Sequence, residues 1–208
     1  YLKKSASGTY TYDVVLNLQK LNGEFIKKDF LLNTDGKQAE HGFVSMVSNT
    51  KGGFYITWLD GRNTVEKTDE GNHKPMTIRF AEITNLGEIV YESELDGSTC
   101  DCCQTSITNT ENGPVIVYRD RSDKEIRDIY STRNVNGTWS TPKAIHNDNW
   151  EIKGCPVNGP KVISNGKEMS VAWFTAAGGN PTVNIAFSSN LGESFDAPIK
   201  INDLETIG

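Results

Sequence analysis

The chain has 208 residues, of which 36% are hydrophobic and 23% are charged, and these proportions exclude a disordered or fibrous protein. The formal net charge of -6 argues against a nucleic-acid-binding surface, and no apolar run is long enough to predict a membrane-spanning helix. Short clusters of β-branched and aromatic residues are separated by turns rich in glycine, asparagine and aspartate, which predicts an all-β fold.

The predicted strands form four successive groups along the chain. The first group contributes two strands within 1–35, near 9–18 and 25–32. The second contributes four within 40–96, near 42–48, 53–60, 75–83 and 88–95. Two further groups follow, at 98–147 and 155–203. The last three groups share an internal repeat, in which the matching aromatic residues are Trp58, Tyr118 and Trp173.

A glycine turn follows the third predicted strand of each complete group, at Gly87, Gly137 and Gly192. The last turn reads Ser-Ser-Asn-Leu-Gly-Glu-Ser-Phe over 188–195 and resembles the Asp box of sialidase and bacterial neuraminidase-repeat (BNR) propellers. Asn190 stands where that motif has aspartate, and 131–139 is a weaker copy. We expect the polar side chain to bond amides of its own hairpin and Phe195 to pack between blades.

The resemblance implies a β-propeller built from four-stranded antiparallel blades. Residues 1–208 would then be a single propeller segment of about three and a half blades from a six-bladed ring, with 1–35 forming the outer strands of a partial blade. Open ends would expose strand edges, so we expect the remaining blades or a partner chain to cover them. The alternative that the pattern leaves open is an ordinary β-sandwich with glycine hairpins.

Strand direction predicts that the chemically distinctive residues share one rim. If the glycine turns lie on one face, the starts of the inner strands and the loops after the second strands lie on the other, at the mouth of the channel. Strings in these loops, such as Cys-Asp-Cys-Cys-Gln-Thr and Trp-Leu-Asp-Gly-Arg, resemble those of bacterial extracytoplasmic proteins called exo-alpha-sialidase-like, over 40–195. The resemblance implies a secreted, periplasmic or cell-surface protein of the bacterial envelope.

The rim contains candidates for sialidase-type chemistry. Sialidases hold the substrate carboxylate with three arginines and use a Tyr nucleophile with a Glu partner and an Asp acid. The residues that could supply guanidinium or carboxyl groups here are Asp60, Arg62, Arg119, Asp120, Arg121 and Arg127. The family's Arg-Ile-Pro signature is absent from this segment and no Tyr-Glu pair can be assigned, so a structural salt-bridge network is the alternative interpretation.

The cysteines allow three interpretations. Soft thiolates with a nearby imidazole suit copper or zinc, and such a site would use Cys100, Cys102, Cys103, Cys155 and His41. An oxidising compartment favours disulfides instead, pairing Cys155 with one member of the cluster and closing a Cys102–Cys103 ring. Free structural thiols are the third interpretation.

These observations favour an extracytoplasmic sialidase-like propeller that binds a ligand or a soft metal at the channel mouth. A carbohydrate or another small molecule is the expected ligand. An exo-sialidase-type glycoside hydrolase is one alternative. A scaffold module of an envelope assembly, without chemistry of its own, is the other.

Overall fold

The computed structural model describes residues 1–7, 10–69 and 71–202. In these residues the regular structure is β-strand, apart from one three-residue 3-10 turn at Ala177–Gly179. The strands form four antiparallel sheets of three to five strands each, which confirms the all-β prediction. The described part of the chain contains no helix with the length and hydropathy needed to cross a membrane.

The first two sheets follow one another along the chain. The first consists, in order, of β1 (Leu2–Lys4), β2 (Tyr12–Gln19) and β3 (Phe25–Leu31). The second consists, in order, of β4 (His41–Ser48), β5 (Phe54–Asp60), β6 (Met76–Ile83) and β7 (Ile89–Thr99). Each strand lies beside the next strand in sequence, as expected where short hairpins connect antiparallel neighbours.

The other two sheets repeat this sequential order. The third contains β8 (Ser106–Thr110), β9 (Gly113–Arg119), β10 (Ile129–Val135), β11 (Thr138–Trp139) and β12 (Lys143–Ala144). The fourth contains β13 (Lys161–Asn165), β14 (Glu168–Thr175), β15 (Thr182–Ser188) and β16 (Ile199–Lys200). Both β11 and β12 pair with β10, so they are two pieces of one edge strand. Pro142 lies between these pieces and cannot donate a backbone hydrogen bond.

The sequence analysis did not predict one of the strands. The segment 1–35 forms three strands rather than the two predicted, because β1 pairs antiparallel with β2 through Leu2 and Val14. The predicted start of the next strand, at Thr9, lies outside the described residues. The segment Leu2–Lys4 has no alternation of buried and exposed positions, since all three of its side chains are exposed. Backbone pairing alone therefore places this strand.

The chain forms two compact units, one ending at Gly97 and the other beginning at Ser98. In each unit, two sheets pack through a buried apolar cluster. The first cluster contains Val14, Leu32, Ile56, Trp58, Ala81 and Ile83. The second contains Val117, Ile129, Val171, Trp173 and Ala186, with Phe195 packed against it. Burial of these side chains is the main favourable contribution to the folding of each unit.

The repeated aromatic residues occupy the predicted strands. Trp58, Tyr118 and Trp173 lie on β5, β9 and β14, the second strands of their sheets, and all three are buried. Both indoles find acceptors, because Trp58 Nε1 donates to Asp60 at 2.8 Å and Trp173 Nε1 donates to Asp148 at 2.7 Å. A buried indole needs such a partner to offset the loss of its contact with water.

The turn at 188–195 has the hydrogen bonds that its sequence predicts. Asn190 Oδ1 accepts from the Ser194 amide at 3.0 Å, while Ser188 Oγ accepts from the Gly192 amide at 3.0 Å. Gly192 has a φ of 76°, in the left-handed region that favours glycine. Its neighbour Phe195 packs against the second apolar cluster. The turn is thus held both by its own polar side chains and by the core.

Replacing Asn190 with alanine should lower the free energy of unfolding by about 1 kcal/mol, because the Ser194 amide loses its acceptor. Asn190→Asp is the matched control, since it keeps that acceptor and should stay within about 0.5 kcal/mol of the parent. Urea unfolding of the three proteins measures both values. Equal midpoints for the parent and Asn190→Ala would show that the turn does not need this side chain.

Candidate functional site

The cysteine segment lies at the end of β9. Cys100 follows β7, and its amide donates to the Arg119 carbonyl at 2.9 Å. One residue earlier, Thr99 forms an isolated antiparallel bridge with Asp120. These backbone contacts hold the tight turn from Cys100 to Cys103 against the last residues of β9. Four consecutive residues therefore bring three sulfur-bearing side chains to one point of the second unit.

A disulfide joins Cys102 to Cys155, whose Cα atoms are 6.1 Å apart. That separation lies within the range of about 4.4 to 6.8 Å usual for disulfides. Cys155 is exposed and Cys102 is partly buried. Since Cys102 is bonded to Cys155, the alternative Cys102–Cys103 ring is not formed. A metal site with four thiolates would first require this disulfide to be reduced.

The other two cysteines form a buried dithiol. Cys100 and Cys103 are spaced as Cys-x-x-Cys, and their sulfur atoms lie 2.8 Å apart. Cys100 Sγ is also 3.9 Å from Cys102 Sγ, so it lies beside both its dithiol partner and the disulfide. The structure thus places an accessible disulfide directly next to a buried thiol pair.

The environment makes the two buried thiols unequal. The pKa of Cys100 is lowered to about 6, mainly by a hydrogen bond from Cys103 and further by the Cys102 amide and the Arg127 charge, against the opposing effect of burial. The pKa of Cys103 is raised, because its proton is held in that same hydrogen bond and because it is buried. Cys100 is therefore the thiolate of the pair at neutral pH.

Arg119 is buried next to the dithiol, and three backbone carbonyls accept its hydrogen bonds. Its Nε donates to Asn158 at 2.8 Å, and one Nη donates to Phe174 at 2.7 Å. The other Nη donates to Arg127, and the guanidinium also stacks 4.9 Å from the Trp150 ring. Burial lowers the pKa of this arginine. Its hydrogen-bond donors are already bonded to carbonyls of three segments, so Arg119 holds these segments together.

The remaining charged candidates of the second unit form an ion-pair network. Glu125 accepts from Arg121 at 2.8 Å and from Arg127 at 2.6 Å, and the hydrogen bond from Arg121 is the main cause of its lowered pKa. Arg121 also contacts Asp101 at 2.8 Å. Asp120 is buried at the end of β9, where its amide donates to the Asp128 carbonyl. These pairings favour the structural interpretation of the arginines.

Asp60 and Arg62 form a second internal ion pair, in the first unit. Asp60 is fully buried and accepts from Arg62 Nε at 2.8 Å and from Arg62 Nη2 at 2.8 Å. Burial alone would raise the pKa of Asp60, but the hydrogen bonds and charge of Arg62 bring it below its usual value. Arg62 also contacts Glu92 at 3.1 Å. This pairing leaves Asp60 ionised and unsuited to act as a proton donor at neutral pH.

His41 begins β4 in the first unit, where its neighbours are carboxylates. Its Nδ1 lies 2.8 Å from the Tyr12 carbonyl, and its Nε2 lies 3.4 Å from Asp35 Oδ1 and 3.7 Å from Asp60 Oδ1. Of the predicted metal ligands, His41 belongs to the first unit and the four cysteines to the second. Asp35 was missed by the sequence analysis, because an aspartate before a glycine is typical of any turn.

The chain matches no model of a protein family, and no curated protein is significantly similar to it.

Proposed function

We propose that the four sheets are consecutive blades of a sialidase-like β-propeller that works outside the cytoplasm, in the bacterial envelope or secreted from it. The sequential strand order, the aromatic residues on second strands and the bonded turn at 188–195 support this fold. The turn at Gly23 corresponds to a third-to-fourth turn, so β1 to β3 would be the second to fourth strands of an incomplete blade. A disulfide between Cys102 and Cys155 supports an oxidising compartment.

The proposed activity is thiol–disulfide exchange at the cysteine cluster. One observation carries this proposal, namely that the buried Cys100 sulfur lies 2.8 Å from Cys103 Sγ and 3.9 Å from Cys102 Sγ of the accessible disulfide. Exchange requires a thiolate beside a disulfide sulfur, and the Cys100 thiolate meets this requirement. The function would be to pass electrons between this dithiol and thiols or disulfides of other molecules.

The internal exchange takes place in two steps, and each thiolate attack forms one disulfide bond and breaks another. First, the Cys100 thiolate attacks Cys102 Sγ, forming a Cys100–Cys102 bond and releasing Cys155 as a thiolate. Then Cys103, after losing its proton to that thiolate, attacks Cys100 and releases Cys102. One disulfide breaks and one forms, so two electrons pass from the buried pair to the Cys102–Cys155 pair. The thiols of Cys102 and the exposed Cys155 then reduce an external disulfide, and an external dithiol restores the buried pair.

The exchange is expected to depend on the Cys100 thiolate. Since the folded pKa of Cys100 is about 6, its thiolate fraction, and with it the exchange rate, should rise from pH 5 to 7 and then level off. The thiolate fraction of an ordinary thiol would rise two to three pH units higher, around its pKa of about 8.5. The measurement is acid quenching of the protein in a glutathione buffer at each pH, followed by alkylation and peptide mass mapping of the two disulfides.

Two variants separate exchange from simple oxidation. Cys100→Ala should abolish interconversion of the disulfides, while Cys103→Ala should stop it at the Cys100–Cys102 stage with Cys155 free to react. Finding only the Cys102–Cys155 disulfide at every glutathione ratio would contradict the proposal and leave a structural crosslink.

Copper or zinc binding by the fully reduced cysteines is the competing use of the same sulfur atoms, and metal analysis of the reduced protein tests it.

The structure favours this activity over a glycoside hydrolase. The arginines needed to hold a substrate carboxylate are engaged by Asp60, Glu92, Asp101 and Glu125 or by backbone carbonyls. A fluorogenic sialoside should therefore remain uncleaved by this chain.

A further inference from the structure

A fully buried imidazole in the first unit presents one nitrogen without a hydrogen bond. His41 Nδ1 lies 2.8 Å from the Tyr12 carbonyl, which only accepts hydrogen bonds, so Nδ1 carries a proton. In the neutral ring the lone pair is then on Nε2. Among the residues that the structure describes, this buried Nε2 has no hydrogen-bond partner. A nitrogen in that position is the form in which histidine coordinates metals.

The nitrogen points toward two carboxylates. Asp35 Oδ1 is 3.4 Å away and Asp60 Oδ1 is 3.7 Å away, both beyond the usual hydrogen-bond range of about 2.7 to 3.2 Å. The side chain of Asp35 is 6% exposed, and its Oδ2 likewise has no hydrogen-bond partner in the described part of the chain. Buried polar atoms left in this state are costly and call for a missing partner.

We propose that Asp35, His41 and Asp60 bind a divalent transition-metal ion, with zinc as the ion best suited to the donor set. The three donor atoms lie within 4.8 Å of one another. Tetrahedral zinc with bonds of about 2.0 to 2.1 Å holds its ligand atoms about 3.3 to 3.4 Å apart, close to the two separations from Nε2. Separations too long for hydrogen bonds thus suit ligands that share one ion.

Each ligand is also held by a second group. The Tyr12 carbonyl orients the imidazole, Arg62 fixes the Asp60 carboxylate, and Asn33 Nδ2 lies 3.4 Å from Asp35 Oδ1. Such outer partners orient metal ligands and are typical of metal sites. The ligands come from the loop before β4, the start of β4 and the end of β5, so the fold brings three separate segments to this point.

The charge around the site accommodates a divalent cation. Asp35 and Asp60 contribute two negative charges and Arg62 one positive charge, with its Nε 3.9 Å from Asp35. Asp13 lies 4.0 Å from His41, and Glu92 contacts Arg62 from the far side. The carboxylates outnumber the arginine, so a cation would offset the excess. With three protein ligands, a fourth position stays open for water or a substrate oxygen, as in catalytic zinc sites.

A surface pocket lies beside the segment that carries Asp35. Asp13, Thr34 and Gly36 are among the residues that line this pocket, and the last two flank Asp35 in sequence.

The test is titration of the metal-free 208-residue chain with Co²⁺ and Zn²⁺, followed by cobalt absorption and calorimetry. We expect one ion per chain, with cobalt bands that lack the sulfur charge-transfer absorption of thiolate ligands. Asp35→Asn removes a ligand charge at almost constant shape and should weaken binding at least tenfold, as should His41→Gln. Asp13→Asn is the matched control, since it removes the same charge 4.0 Å from the ring and should change affinity less than threefold.

Two outcomes would overturn the site. The first is no binding at micromolar metal by a folded chain, which would mean that His41 and the two carboxylates form a polar cluster that takes no metal. The second is binding that Asp35→Asn leaves unchanged or that shows sulfur charge transfer, which would place the ion at the cysteines. Either result leaves the disulfide mapping of the second unit unaffected, so the two proposals fail separately.

Discussion

Replacing both Cys102 and Cys155 with serine is expected to lower the free energy of unfolding by about 4 kcal/mol. The disulfide spans 53 positions of sequence, and it restricts the unfolded chain by closing that loop. Its loss gives the unfolded state more conformations to occupy, without removing any part of the apolar clusters. Urea unfolding under oxidising conditions, with the slope checked for two-state behaviour, measures the effect.

Reduction supplies the control for this prediction. Adding a reductant to the parent protein should destabilise it by a similar amount, whereas the double variant should respond far less, because it lacks the disulfide that closes the 53-position loop. A double variant that unfolds within about 1 kcal/mol of the oxidised parent would show that the unfolded chain is restricted in some other way.

The repeating parts of the fold could be predicted because their signals are local. Clusters of β-branched and aromatic residues, with one matching aromatic residue in each, placed β5, β9 and β14, and turn chemistry placed Gly87, Gly137 and Gly192 between third and fourth strands. The strand β1 could not be predicted in this way. It pairs with β2 through backbone hydrogen bonds across a loop, and the side chains of Leu2–Lys4 show no pattern that predicts a strand.

The candidate site was predictable in its residues but not in their partners. Sequence proximity brings Cys100, Cys102 and Cys103 together, yet which of them bonds Cys155 depends on Cα separations across 53 positions. The same holds for His41, whose neighbour Asp35 comes from a loop with ordinary turn composition. Charge-bearing residues signal that chemistry or ion pairing is present, and only tertiary structure decides between the two.

The partners of Arg119 differ from those that its residue type and sequence neighbours predict. An arginine beside aspartate in sequence predicts a surface ion pair, but here the side chain is 1% exposed and donates to carbonyls 39 and 55 residues away. It therefore ties the loop before β13 and the end of β14 to β9. Removing it should leave these part-buried carbonyls without its donors, each at a cost of about 1 to 3 kcal/mol.

Arg119→Met keeps most of the apolar volume and removes the donors, so we expect it to lower the free energy of unfolding by at least about 3 kcal/mol. Arg121→Met is the matched control two residues further along. The Arg121 side chain is 29% exposed and pairs with Asp101 and Glu125 near solvent, so its loss should cost less than about 1 kcal/mol. Urea unfolding at neutral pH compares the two. Equal losses would mean that solvent replaces the Arg119 donors, and that β9 and β14 are held together by the apolar cluster around Trp173 alone.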